Sequence, residues 1–162
     1  MTDPETLALA ESVLESCRAA GWLVATAESC TGGLIAGALT AIAGSSDVVD
    51  RGFVTYSNAA KTEMLGVPAD LVADAGAVSE AVARRMAEGA LTHSAAHVAV
   101  AVTGIAGPGG ATPGKPVGLV YLSLARRGRE TAVERHQFPG DRAAVREATV
   151  DRAIELLGSA LA

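Results

Sequence analysis

Trp22-Leu23-Val24-Ala25-Thr26-Ala27-Glu28-Ser29-Cys30-Thr31-Gly32-Gly33 runs from an apolar stretch into small polar residues and then two glycines. Residues 22–27 predict a buried strand, and residues 34–43 predict a helix stopped by Gly44. Glycines at such a junction admit close backbone approach. The first turn of a helix offers unpaired N–H groups and the positive end of its dipole. The corner therefore suits an anionic or carbonyl group. Glu28, Ser29, Thr31, Gly32 and Gly33 are candidate ligand contacts there, the plain alternative being an N-cap and a tight turn.

Upstream of this corner, Thr2-x-x-Glu5 has capping-box spacing with Pro4 in the first turn. Leu7, Ala10, Leu14 and Cys17 then recur at helical spacing as far as Gly21. Downstream, the segment ending in Phe53-Val54-Thr55-Tyr56 is β-rich, and Asn58 is a candidate N-cap for a short helix holding Lys61 and Met64. A second short helix is expected over residues 69–73, and Ser79 should cap a longer one over Glu80–Thr92. Residues 97–102 are almost all small or β-branched, the pattern of a strand covered on both faces. They deliver Thr103-Gly104-Ile105-Ala106-Gly107-Pro108-Gly109-Gly110. Residues 117–125 and 131–138 read as a hairpin turning near Gly128. Asp141 should cap the last helix, whose stripe is Val150, Ile154, Leu157 and Leu161. Strands joined by helices, with a hairpin added, predict a three-layer α/β/α sandwich with a mixed sheet, one domain over residues 1–162.

Bulk properties fit this reading. The 162 residues can bury a core unaided, and 49% hydrophobic with only 3% aromatic content means a core of Ala, Val, Leu and Ile. A net charge of −5 argues against nucleic acid as the main partner, since phosphate binding needs a basic surface. Cys17 and Cys30 have no C-x-x-C spacing, so Cys17 reads as a buried free thiol. That usage, with no secretory pattern at Met1-Thr2-Asp3-Pro4-Glu5, leads to the expectation of a reduced, cytoplasmic protein without a membrane partner. Small size and an Ala-rich surface fit a homo-oligomer.

Several residues could carry chemistry. Ser46 would need a base to become a nucleophile, and Lys61, among Ala59, Ala60, Met64 and Leu65, would serve if held neutral. From spacing alone the ordinary alternative is a turn serine and a solvated lysine. Tyr56 could donate in a cleft or be a satisfied, partly buried tyrosine. Thr103, Gly104 and Gly107 belong to a glycine loop that is neither a Walker A sequence nor G-x-G-x-x-G, and which could seat a phosphate or ribose. Arg142 could clamp a phosphate or be a surface charge. His93 and His97 lack the helical context and glutamate of a zinc site, and His136 reads as a strand surface residue without a partner.

Taken together, seven blocks resemble the CinA C-terminal-domain family in order along essentially the whole chain. They are residues 27–33, Ala43-Gly44-Ser45-Ser46, Val54-Thr55-Tyr56-Ser57-Asn58 with Lys61, Gly76-Ala77-Val78-Ser79, residues 103–108, Lys115-Pro116-Val117-Gly118 and Gly140-Asp141-Arg142. The best-known activity of that family is nicotinamide-nucleotide amidohydrolase. The resemblance thus implies hydrolysis of the nicotinamide mononucleotide carboxamide to nicotinate mononucleotide and ammonia, without metal or organic cofactor. It also implies a Ser/Lys arrangement, matched here by Ser46 and Lys61. Ser29, Tyr56, Thr103 and Arg142 would support catalysis or binding, and N–H groups near residues 31–33 would hold the oxyanion. Longer members of the family carry an N-terminal nucleotide-pyrophosphatase-type domain with no counterpart in this sequence, so that activity is not implied. The segment 109–114 departs from the pattern as a variable part of the loop. The rival reading is a non-catalytic nucleotide-binding or sensing domain.

Overall fold

The computed structural model describes residues 3–161. Along the chain come α1 (Pro4–Ala20), β1 (Val24–Glu28), α2 (Leu34–Thr40), a 3-10 turn (Ser45–Asp47), β2 (Val49–Val54), α3 (Asn58–Leu65), α4 (Ala69–Ala75) and α5 (Glu80–Thr92). They are followed by β3 (Val98–Gly104), β4 (Leu119–Arg126), β5 (Ala132–Gln137) and α6 (Arg142–Ser159). The sheet order is β2-β1-β3-β4-β5, parallel through β2, β1 and β3 and antiparallel from β3 to β5. This is the expected mixed sheet. Helices α1, α2 and α6 cover one face and α3, α4 and α5 the other.

The central strand shows why the two layers differ. In β3, Val98, Val100 and Val102 enter the core under α1, α2 and α6, while Ala99 and Ala101 face the layer of α5. Ala25 and Ala27 of β1 join that alanine face. Small side chains let α5 lie close to the sheet. α5 in turn lies close to α3, where a Cβ added at Gly89 would collide with the Leu65 carbonyl.

Local chemistry shifts several expected boundaries. Thr2 of the expected capping box lies outside the described residues, and α1 is capped instead by Asp3, which accepts from the Glu5 N–H at 3.4 Å. β1 starts at Val24 because the Trp22 N–H returns to Cys17 O and the Leu23 N–H goes to His97 Nδ1. α2 stops at Thr40. Ala41 N–H still returns to Gly37 O, and beyond it the chain tightens into three-residue steps, with Ile42 N–H donating to Leu39 O and Ser45 N–H to Ile42 O. Ser57, not Asn58, caps α3 by accepting from the Ala60 N–H at 3.0 Å. Ser79 and Asp141 cap α5 and α6, and Gly128 turns the hairpin with φ of 76°. Cys17 is fully buried. His136 does have partners: Glu134 Oε2 at 2.7 Å and the Phe138 ring, stacked at 5.0 Å. His93 Nδ1 donates to Gly89 O. Among the described residues, no helix is long and apolar enough to cross a membrane.

Candidate functional site

The register of the three parallel strands builds the site. Glu28 of β1 lies between Val54 of β2 and Val102 of β3. One residue further, each strand delivers a hydroxyl: Ser29, Thr55 and Thr103. The Thr55 N–H bonds Glu28 O at 2.8 Å and the Ser29 N–H bonds Val102 O at 3.1 Å, which keeps the three in one row. Two of these hydroxyls turn inward. Thr55 Oγ1 reaches Glu28 O at 3.5 Å, and Thr103 Oγ1 donates to Ala77 O at 2.9 Å, tying the loop before α5 to the strand end. Only Ser29 meets an amine.

That amine is Lys61, 1% exposed, the largest of the fully buried side chains. Ser57 starts α3 directly after the β2 exit, so Lys61 falls on its inner face. The Lys61 N–H returns to Ser57 O at 3.2 Å. Its Nζ lies 3.0 Å from Ser29 Oγ, 2.9 Å from Thr55 O and 3.5 Å from Tyr56 O. None of the ion pairs among the described residues includes it. Burial pushes the amine below the usual lysine range, opposed by the nearby Cys30 thiol. An ammonium would donate to all three oxygens. A neutral amine donates two hydrogens to the carbonyls and keeps its lone pair for the Ser29 O–H. Cys30 does not compete as a nucleophile at neutral pH, because burial pushes its thiol up to about 11.

Ser46 is not at this site. It lies exposed in the 3-10 turn ahead of β2, at the end of the sheet where Val49 pairs with Val24. Six residues of strand, at roughly 3.3 Å per residue, separate it from the exit of β2 where Lys61 follows. The chain enters β2 beside Ser46 and leaves it beside Lys61, so the strand between them keeps the two apart. The sequence spacing that pairs them ignores that direction.

Glu28 is likewise not a free ligand contact. It is 0% exposed. Its Oε1 accepts from Thr31 Oγ1 at 2.6 Å, Gly33 N–H at 3.3 Å and Ile35 N–H at 2.9 Å, and its Oε2 from Ala36 N–H at 3.0 Å. The carboxylate therefore occupies the positive end of α2, where an external anion was expected. The Gly32 N–H goes to Ser29 O and the Leu34 N–H to Thr31 O. Gly32 and Gly33, with φ of 58° and 107°, make the turn rather than present donors. Within residues 29–36, Cys30 and Thr31 alone keep a backbone N–H with no acceptor among the described residues.

A chain of contacts runs beside the β2 exit. Tyr56, 61% exposed, receives Arg142 Nη2 on its hydroxyl at 3.1 Å, and Arg142 Nη1 donates to Gly107 O at 2.9 Å. Arg142 thus stands between α6, the β2 exit and the glycine loop. Gly104 serves the packing of β3 on β4, where a Cβ would lie 2.6 Å from Val120 Cγ2. Lys115 Nζ donates to Ala75 O at 2.7 Å and so holds the glycine loop against the end of α4.

Sequence reasoning missed Thr55 and Arg146. Arg146 Nε donates to Cys30 O at 3.1 Å and its Nη2 to Thr31 O at 3.3 Å, from the second turn of α6. The available signal was its position four residues after Arg142, on the same helix face. A cleft of about 410 Å³ lined by Asp3, Thr6, Leu34, Arg146, Glu147 and Asp151 lies behind this loop, apart from Ser29 and Lys61.

Comparison with known proteins agrees with this architecture. A "CinA-like protein" of Akkermansia muciniphila is 58% identical over 130 residues, covering 80% of this chain and 31% of that protein. One from Mycobacterium sp. (strain JLS) is 54% identical over 142 residues, covering 88% and 34%. The chain thus spans about a third of the length of these relatives. Among solved structures, competence/damage inducible protein CihA from Agrobacterium tumefaciens superposes with a TM-score of 0.96 at 51% identity, over 99% of this chain and 98% of its own. A competence-damaged protein (CinA) superfamily member from Klebsiella pneumoniae gives 0.92 at 41% identity, over 96% and 97%. The model of the CinA C-terminal domain matches residues 6–161, and with the fold and these relatives it shows that the chain belongs to the CinA C-terminal domain family.

Proposed function

We propose that this chain hydrolyses the carboxamide of nicotinamide mononucleotide to nicotinate mononucleotide and ammonia, with Ser29 as nucleophile and Lys61 as base. The observation that carries this reading is a buried amine 3.0 Å from a serine hydroxyl, with no acidic partner among the described residues. Neutral Lys61 takes the Ser29 proton as Oγ bonds to the carboxamide carbon. The carbonyl electron pair moves to oxygen, where backbone N–H groups receive it. On collapse the C–N bond breaks, and protonated Lys61 gives its proton to the departing nitrogen, so that ammonia leaves. Water then gives a proton to the regenerated amine as its oxygen bonds to the ester carbon; the C–Oγ bond breaks, the ammonium returns that proton to Ser29 Oγ, and the acid formed loses its proton to solvent and leaves as the carboxylate. The cationic pyridinium of the substrate disfavours a charged lysine beside it, which supports the base role. Exposed Val54 and Tyr56 offer apolar surface to the ring, and Arg142, held by Gly107 O and the Tyr56 hydroxyl, offers its guanidinium to the phosphate.

Ammonia release from nicotinamide mononucleotide by wild type and Lys61→Ala tests this. Turnover that falls at least about 10³-fold in the variant supports it. Calorimetric binding of the nucleotide by folded wild type without any ammonia release would replace it with a nucleotide-binding role.

A further inference from the structure

We propose that Lys115 is a specificity-determining residue that takes the substrate phosphate from the α5 side of the sheet. This rests on the reading of nicotinamide mononucleotide as the substrate. Two blocks of sequence have no part in the chemistry so far, Gly76-Ala77-Val78-Ser79 and Lys115-Pro116-Val117-Gly118, and the fold brings them together. Lys115 Nζ donates to Ala75 O at 2.7 Å, and a Cβ at Gly76 would lie 2.7 Å from the same nitrogen. The lysine head therefore lies across bare backbone, beside the turn that leads into α5. Strand alternation fixes which side of the sheet this is. Ala25 and Ala27 of β1 face the α5 layer, so Ser29 does too, and its contact with Lys61 of α3 agrees. Ala99 and Ala101 of β3 face the same layer, and Thr103 continues the alternation to reach Ala77 O at 2.9 Å. Lys115 thus stands on the side where Ser29 and Lys61 meet, whereas Arg142 and Arg146 belong to α6 on the other face.

The charge of this lysine is unspent. Lys115 is half-buried, and none of the ion pairs among the described residues includes it. Ala75 O is a neutral acceptor, so the ammonium keeps its full charge and two of its three hydrogens. The reach is also right. Ser29 N–H bonds Val102 O at 3.1 Å, which sets Thr103 next to Ser29. Two residues of chain, one hydrogen bond and one strand spacing then separate Lys115 Nζ from the nucleophile, a span on the order of 10 Å that a pyridine ring and a ribose fill end to end. Arg142 approaches the same glycine loop from the opposite layer, through Gly107 O. A phosphate monoester has three outer oxygens, enough to meet one cation from each side.

The test compares nicotinamide mononucleotide with nicotinamide riboside, the same molecule without its phosphate, in wild type, Lys115→Ala and Lys115→Gln. Both variants should raise KM for the mononucleotide about 10-fold, the loss of one charge-assisted contact, with kcat within about threefold of wild type. For the riboside, kcat/KM should stay within about twofold. Glutamine keeps a donor for Ala75 O and removes only the charge, so it separates the phosphate contact from the tie between the loop and α4, and it stands in for alanine if that variant fails to fold. An equal loss on both compounds marks a tie that only holds the loop, and overturns the proposal. So does a mononucleotide KM unchanged in Lys115→Gln. If wild type releases ammonia from neither compound, the amidohydrolase reading falls and calorimetry decides on Lys115 by itself; the same comparison decides if only the riboside is inert. Tighter binding of the mononucleotide than of the riboside in wild type, lost in Lys115→Gln, upholds the phosphate contact, and no such difference overturns it.

Discussion

Strands β1 and β2 carry a serine at each end of their pairing, and the two serines have opposite surroundings. At the exit end, Ser29 faces an amine that is shut from water and, among the described residues, has no carboxylate partner. At the entry end, Ser46 sits exposed next to Asp47, which is paired with Arg18 at 2.7 Å on the surface. A guanidinium does not give up its proton in a protein, and this one is already engaged by a carboxylate. Asp47 is held below the usual carboxylate range by that contact, so it is a poor base as well. Both turns are small, glycine-bearing and polar. What separates them is whether a titratable partner is withheld from both solvent and countercharge, and that depends on which end of the sheet the turn occupies.

The largest effect should come from exchanging the two alcohols for methyl groups. Ser29→Ala should lower ammonia release about 10⁴-fold, whereas Ser46→Ala should stay within about twofold of wild type. Equal losses would break the contrast. Next comes the carboxylate that anchors the loop after Ser29 to the start of α2. Glu28→Ala leaves four donors at the start of α2 without their acceptor and should cost about 3 kcal/mol in urea unfolding, Glu28→Gln less.

The third prediction concerns pH. The Lys61 pKa is depressed in the folded state, so between that value and the ordinary lysine value of 10.5 the unfolded chain binds more protons than the folded one. Its contribution to stability must then rise with pH through that window and flatten above it. Lys61→Met should lose this slope, which paired wild-type and variant unfolding curves across alkaline pH would show. The smallest effect lies outside both ends. Glu134, bound by Arg152 and His136, is lowered to about 2 from 4.5. Its stabilisation is present above 4.5 and lost as pH falls through about 2. Glu134→Gln should therefore cost about 1 kcal/mol at neutral pH, allowing for solvent screening of a half-buried pair, and leave turnover unchanged.

Much of the fold can be read along the chain because its signals are local. The alternation of Val and Ala in β3, the glycine punctuation, and the Ser79 and Asp141 caps each depend on a few neighbouring residues. The site is only half legible in this way. Lys61 stands out because apolar residues flank it, but its partner depends on the parallel register that sets Ser29 beside Thr55 and Thr103. Glu28 looks like a ligand group in sequence, and only the path of α2 shows that its oxygens are taken. Arg146 acts across 116 positions of sequence on Cys30, a distance that no motif spans. Ser46 misleads for the opposite reason: its turn has site-like composition at the wrong end of a strand.

The packing of α5 carries one last implication. Leu65 lies one helical turn beyond Lys61 on α3, and its carbonyl rests against Gly89. Even a single methyl group at Gly89 would have to push α3 outward, and the amine would travel with it. A displacement on the order of 1 Å at a reacting pair can cost about 10²-fold in rate. The reach of the base is thus gauged by a bare hydrogen on a helix that supplies none of the reacting groups, at a place where a scan for reactive side chains would find nothing to mutate.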